Sequence, residues 1–257
     1  MTYRLDSDIY HRFSYGITIP NNRQLPVSYP KVDKGSSARS VVHLQNEQQA
    51  AVKLKKKMVA WFVSNCKTAS AREKYVEELS EYVAVDIYGK CGNLTCSYNQ
   101  RDQCFDMLRT TYKFYLSFEN AFCPDYVTEK LFNALRYDVV PIVMGGADYS
   151  KFAPPNSYIN VIDFQSPKHL ADYLKLLNEN DDLYAHYFDW KKDYTIELWT
   201  TRGWCSLCKL LHDPPTTHNV YADLQEWWMK DGQCASAWSK QTTWNQMTNL
   251  ISKNLFD

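Results

Sequence analysis

The chain has 257 residues, with 29 Lys plus Arg against 29 Asp plus Glu, and so carries no net charge at pH 7. That balance, with 45% hydrophobic and 15% aromatic residues, fits one or two globular domains. It argues against a nucleic-acid or polyanion binder, which needs a basic excess on at least one face. The longest apolar runs, 58–63 and 139–144, fall far below the ~20 residues that cross a bilayer, and the N-terminus lacks the basic-then-apolar pattern of a secretion signal.

Eight cysteines and an Asn-X-Thr sequon at Asn93 nevertheless point to an oxidising, glycosylating compartment. On that reading an address is missing upstream. Cys91, Cys96 and Cys104 are closely spaced, Cys205 and Cys208 form a C-x-x-C, and Cys66, Cys123 and Cys234 stand apart. The even count permits full pairing without choosing the pairs, and buried free thiols in a cytosolic enzyme are the competing reading.

Residues 1–55 are polar and carry Pro20, Pro26, Pro30 and a Gly-Ser-Ser, with one helical hint at 41–54. They read as a linker or the end of another domain. The basic residues Lys53, Lys55, Lys56 and Lys57 read as a solvated strand entrance. From there the pattern is regular. A strand (58–63) leads to a helix (70–82) with Tyr75, Val76, Leu79 and Tyr82 at three- and four-residue spacing. A short strand (85–88), a cysteine-containing loop, a helix (101–109) and a strand (114–118) follow. Next come a helix (126–136), a strand (139–144) ending in Gly145-Gly146, a strand (158–162) and a helix (167–177). This alternation predicts an α/β fold with a Rossmann-like, doubly wound parallel sheet, which binds ligands at the carboxyl ends of its strands. The division is a linker at 1–55, a ligand-binding domain at 56–200 and an irregular Cys- and Trp-rich tail at 201–257 that packs rather than catalyses.

Polar residues gather where that sheet would hold a phosphate. After the first strand stand Ser64, Asn65 and Cys66, then Ser70-Ala71-Arg72, where a helix N-terminus offers free N–H groups and Arg72 a fork of donors. The stretch 112–131, YKFYLSFENAFCPDYVTEKL, carries the rest. It closely resembles the donor-binding signature of the α1,3/4-fucosyltransferases. Trp61-Phe62-Val63-Ser64-Asn65, Ser70-Ala71-Arg72, Val85-Asp86-Ile87-Tyr88-Gly89 and Val140-Pro141-Ile142-Val143 match that family in order and spacing. Tyr3-Arg4-Leu5-Asp6-Ser7-Asp8-Ile9 and Tyr15-Gly16 look like the segment leading into its donor domain, so the resemblance covers roughly residues 6–208.

The resemblance implies the C-terminal, GDP-fucose-binding lobe of a two-lobed GT-B glycosyltransferase. Arg72 and Lys130 would neutralise the pyrophosphate, Asn120 would bond a phosphate or the sugar, Tyr126 would contact the phosphate region, and Glu129 would hold ribose or fucose hydroxyls. Ser64 and Asn65 would line the same mouth, with Glu119 as a further donor contact. The physical logic is independent of the family: a departing GDP carries growing negative charge, which fixed cations in a dry cleft stabilise. Taken singly, each residue has a structural reading: a first-turn ion pair for Glu129 and Lys130, a strand-end cap for Asn120, a core aromatic for Tyr126. Ala121 departs from the Ser common at that position in the family.

No metal is required on this reading, a divalent cation such as Mn2+ being at most stimulatory. Asp6-Ser7-Asp8 has the form of a cation-binding D-x-D but reads better as a solvated turn. The Cys205, Cys208, His212 and His218 group is too tightly spaced for a zinc finger. The resemblance instead makes Cys205 and Cys208 disulfide partners of upstream cysteines. It also places the general base, a Glu, in the upstream acceptor lobe, which nothing in these residues matches. The chain thus resembles a truncated form with no catalytic base of its own. The expected reaction is inverting transfer of fucose from GDP-β-L-fucose, in α1,3 linkage, to N-acetylglucosamine of glycoprotein N-glycans. The tail favours the core residue, as in invertebrate enzymes. The expected place is the lumenal side of the Golgi membrane, held by an N-terminal anchor not contained here. The alternatives are a Lewis-type α1,3/4-fucosyltransferase or an inactive donor-binding fragment.

Overall fold

A computed structural model of the chain describes residues 1–10, 16–21, 55–96, 101–197, 202–214, 220–232 and 234. The helical hint at 41–54 and three of the tail tryptophans, Trp199, Trp238 and Trp244, lie outside the described residues.

In chain order the elements are β1 (Ile17–Pro20), β2 (Lys57–Phe62), α1 (Arg72–Leu79), β3 (Val85–Tyr88), α2 (Arg101–Thr111), β4 (Tyr112–Phe118), α3 (Glu129–Arg136) and β5 (Val140–Met144). They continue with β6 (Ile159–Asn160), α4 (Pro167–Glu179), α5 (Asp181–Ala185), β7 (Tyr194–Glu197), α6 (Arg202–His212) and α7 (Leu224–Met229). Five strands form one parallel sheet in the order β3-β2-β4-β5-β6. From β2 the chain moves outward to β3 and then crosses back to β4, so the winding reverses between β2 and β4. The expected α/β fold is present.

Period-two alternation decides what each face buries. Val59, Trp61, Phe114, Leu116, Val140 and Ile142 pack against α1 and α4 through Tyr75, Val76, Leu79, Leu170 and Leu174. Ala60 and Tyr115 face α2 with Phe105 and Leu108, and Val143 faces α3 with Leu131 and Phe132. β4 and β5 are buried along their whole lengths, as their unbroken apolar character requires of central parallel strands. Because α1 and α3 leave on opposite faces, a crevice opens between them at the carboxyl ends of β2 and β4.

Several boundaries depart from the periodicity, each for a local reason. α1 begins at Arg72 rather than residue 70 because Ala71 is left-handed at φ 49°. α3 begins at Glu129 rather than 126, since Asp125 is left-handed at φ 61° and Thr128 gives its N–H and hydroxyl to Glu119. β6 stops after two residues because the Asn160 side chain accepts from Ile162 N at 3.3 Å and turns the chain into a 3₁₀ turn, Val161–Asp163. Two strands lie where the periodicity predicts none: β1, inside the expected linker, pairs antiparallel with β7. The expected irregular tail contains α6 and α7.

The solvated reading of the basic run is wrong for Lys55. Its side chain is buried, and Nζ donates to three backbone carbonyls: Leu108 at 3.2 Å, Tyr112 at 2.9 Å and Asp138 at 2.6 Å. Burial, with the charges of Lys191, Lys113 and Arg109, pushes this amine down to about 7. The three acceptors match the three N–H bonds of an ammonium and oppose that shift. Lys55 thereby satisfies a terminal carbonyl of α2 and pins the amino ends of β2 and β4 together.

Gly146, after β5, lies so close to the next loop that a Cβ there would meet the backbone of Phe122 at 2.7 Å and of Cys123 at 2.8 Å. Two outcomes follow for chemical denaturation. Lys55→Met strands three carbonyls and lowers stability by about 2–4 kcal/mol. Gly146→Ala displaces the 122–123 backbone and costs about 1–3 kcal/mol.

Candidate functional site

The crevice between β2 and β4 is the point where the winding of the sheet reverses, and in doubly wound folds this is where ligands sit. Its floor is stitched by polar groups from both sides. Ser70 N donates to Asn120 O at 3.0 Å, and Ser70 Oγ donates to Glu119 O at 2.7 Å, so the turn before α1 is tied to the end of β4.

Arg72 opens α1 yet is only 3% exposed, which excludes the surface reading of its first-turn position. Its guanidinium donates to Phe118 O and, at 3.3 Å, to Asn65 O, and it lies 5.6 Å from the Trp61 ring centroid. Nε is buried with no hydrogen-bond partner. Burial pulls the guanidinium below its usual range, opposed by the charges of Glu119 and Glu73.

On the other side, Glu119 is 1% exposed and its carboxylate is fully engaged. Oε1 accepts from Thr128 N at 2.8 Å, Thr128 Oγ1 donates between both oxygens at 2.9 Å, and Lys130 Nζ donates to Oε2 at 3.0 Å. Burial pushes this carboxyl up, and the Lys130 charge opposes the shift. Lys130 Nζ also donates to Thr128 Oγ1 at 2.6 Å and lies 3.6 Å from Glu129 Oε1. The two cations are thus tied to consecutive residues of one strand end, Arg72 to Phe118 and Lys130 to Glu119.

Thr128 stands at the N-cap of α3, but its hydroxyl serves Glu119 and caps nothing; Ala71, at the N-cap of α1, has no polar side chain. Neither helix spends a side chain on its first N–H groups. Two uncapped helix N-termini, a buried guanidinium with an unpartnered Nε and a largely buried ammonium are donors of the kind that suit an anion.

The remaining candidates border it. Asn120 is half-buried, with a buried Oδ1 lacking a partner. Tyr126 is half-buried, and its hydroxyl is pushed up to about 12 by burial and by the charges of Glu119 and Glu129. Ser64 and Asn65 are exposed on the loop after β2, and Glu129 lies at the surface beside Lys130. Disulfide Cys66–Cys91 ties that loop to the one carrying the exposed sequon residue Asn93. The structure therefore joins Arg72, Asn65, Glu119 and Lys130 by direct bonds or shared anchors and leaves Asn93 in the neighbouring loop. Sequence reasoning quoted Ser70 and Thr128 within their motifs without giving either a role, yet they tie the assembly together. The expected helix at 126–136 hid Thr128 in its first turn, whereas the structure starts α3 at Glu129 and puts Thr128 at its N-cap.

Of the other weighed features, His218 lies outside the described residues. Asp6 is held by Arg4 at 2.8 and 2.6 Å, and Asp8 accepts from Tyr221 at 3.1 Å. Cys205 and Cys208 are free and exposed, while Cys96 pairs with Cys104 and Cys123 with Cys234. Among the described residues no group of three or more His, Cys, Asp or Glu is placed to hold a metal.

Comparison with known proteins bears on the family and the fold. The C-terminal domain of glycosyltransferase family 10 (fucosyltransferase) matches residues 52–227. Glycoprotein 3-α-L-fucosyltransferase A of Drosophila melanogaster is 48% identical over 75% of this chain and 39% of its own length. α-(1,3)-fucosyltransferase C of the same organism is 43% identical over 89% and 53%. The mouse 4-galactosyl-N-acetylglucosaminide 3-α-L-fucosyltransferase 9 is 35% identical over 88% and 56%. The chain thus spans about half the length of the curated relatives it matches. A crystal structure of an α1,3-fucosyltransferase with GDP-fucose shares the fold, with a TM-score of 0.52 at 22% identity over 75% of this chain and 61% of that one. By sequence family, with the fold in agreement, the chain belongs to glycosyltransferase family 10, the fucosyltransferases, and carries its C-terminal domain.

Proposed function

We propose that this chain is the donor-binding part of an inverting α1,3-fucosyltransferase that uses GDP-β-L-fucose. Its acceptor is N-acetylglucosamine of glycoprotein N-glycans, at the core residue. The observation that carries the reading is the cationic pair at the sheet's switch point. Arg72 and Lys130 flank two uncapped helix N-termini, the arrangement that a nucleoside diphosphate requires. Arg72, through its unpartnered Nε, and Lys130 take the pyrophosphate. Tyr126 and Asn120 border it, and Glu129 meets the ribose or fucose hydroxyls.

As the glycosidic bond breaks, negative charge grows on GDP, and cations already desolvated and fixed need no reorganisation to meet it. They supply the compensation that a divalent ion supplies elsewhere, so no metal is required. Inversion also needs a base to take the acceptor proton. Glu119 is committed to Thr128 and Lys130, so the base is assigned to the part of the longer relatives that this chain does not span. The core acceptor is favoured because the Drosophila relative named for glycoproteins is 48% identical, against 35% for the mouse galactosyl-N-acetylglucosaminide enzyme. Three disulfides and an exposed sequon at Asn93 support the lumen of the Golgi apparatus as the working compartment.

Calorimetric titration with GDP tests the site. Arg72→Ala and Lys130→Ala each weaken binding by about 10- to 100-fold, the loss of a charge-assisted contact. Arg72→Lys does not restore it, because an ammonium cannot reproduce the planar fork. Binding persists in EDTA. Wild-type affinity in both alanine variants would remove these residues from the site.

A further inference from the structure

Beside the cationic crevice lies a second depression, of about 250 Å3, whose lining contains no charged side chain. Tyr3, Tyr126, Trp228 and Met229 line it together with the Cys123–Cys234 disulfide. Its walls come from three distant parts of the sequence: the N-terminal segment, the loop between β4 and α3, and α7 with the residues after it.

This convergence is built rather than incidental. The Tyr3 ring lies 5.1 Å from that of Tyr126 and 5.5 Å from that of Trp228. Arg4 clamps the N-terminal segment to α7 by donating to Trp227 O and stacking 4.3 Å from the Trp227 ring centroid, and Asp6 accepts from Trp227 Nε1 at 3.3 Å. Leu5 N donates to Asp125 Oδ2 at 3.0 Å, and the disulfide joins residues 111 apart. Yet Trp228 is 41% and Met229 67% exposed. Aromatic surface is therefore fixed by contacts from three segments and left partly uncovered.

We propose that this depression is a subsite for one neutral pyranose ring of the acceptor glycan. The proposal rests on the reading of the neighbouring crevice as the donor site, because a transferase must bring an acceptor hydroxyl to the donor sugar. The two sites share Tyr126, and Ala121, also in the lining, follows Asn120 directly. With no cation, the depression offers nothing to a phosphate. A guanine would stack there but also needs an amide or carboxylate for its hydrogen-bonding edge, and the lining has neither. A pyranose asks for what is present: aromatic planes for its C–H face and an open rim that leaves its hydroxyls in water. The volume lies below the ~300–1,000 Å3 of drug-sized pockets, the scale of a single ring.

Saturation-transfer NMR with N,N′-diacetylchitobiose, in the presence of saturating GDP, tests this on the full chain, with GDP affinity measured in parallel by calorimetry. Wild type transfers saturation to the C–H protons of one ring. Trp228→Ala weakens sugar binding by about tenfold, Trp228→Phe keeps most of it, and both bind GDP as wild type does. Unchanged sugar binding in Trp228→Ala, or no sugar binding by a wild type that binds GDP, overturns the proposal. A fall in GDP affinity in Trp228→Ala assigns the depression to the nucleotide and also overturns it. A folded wild type that binds sugar but no GDP contradicts the donor reading, and the acceptor assignment falls with it.

Discussion

A guanidinium taken out of water is costly unless its donors are satisfied, and the placement of Arg72 is the constraint around which this domain is organised. Its head group reaches carbonyl oxygens at the end of β4 and in the loop after β2, where the polypeptide has not yet turned into helix. For those oxygens to converge, the strands must be adjacent and parallel, and the chain must leave them in opposite directions. The doubly wound order delivers that geometry, and the left-handed Ala71 delivers Arg72 to it. Non-glycine residues in such conformations cost about 1–3 kcal/mol and persist where the surroundings over-determine them. Here the surroundings are the bonds from Ser70 to Glu119 and Asn120.

The second cation is placed by a different device. Glu119 is buried and raised in pKa, a poor group to leave without partners, and it takes the N–H and hydroxyl of Thr128 as well as the ammonium of Lys130. The same bonds shift the start of α3 and free its first N–H groups from a side-chain cap. The late start of α3 and its uncapped N-terminus thus have one cause. Departures from local rules concentrate where function needs them.

Much of this was legible in the sequence. The parallel core strands announce themselves as uninterrupted apolar runs, and Asn120, just past a strand end, and Arg72 and Lys130, in the first turns of helices, sit where phosphate chemistry belongs. What was not legible depends on distant contacts. Lys55 looks like any other lysine in a basic run until the carbonyls of Leu108, Tyr112 and Asp138 converge on it. β1 and β7 pair residues at least 174 positions apart, Pro20 with Tyr194 being the nearest in sequence, and each lacks a strong period of its own. The partner of Cys123 could not be read from spacing when it stands 111 residues away. The tail, expected to be irregular, instead folds a helix against the N-terminal segment through Arg4, Tyr3 and Trp227, contacts that only the assembled chain brings together.

On the proposed function, a guanosine diphosphate sugar, carried by its pyrophosphate, occupies the crevice between β2 and β4. Calorimetric titration of the folded chain with GDP-fucose, against UDP-N-acetylglucosamine as the control nucleotide sugar, tests it most directly. Saturable, one-to-one binding of GDP-fucose and markedly weaker binding of the control are expected. Equal affinity for both, or no binding of GDP-fucose by a chain shown to be folded, would contradict it.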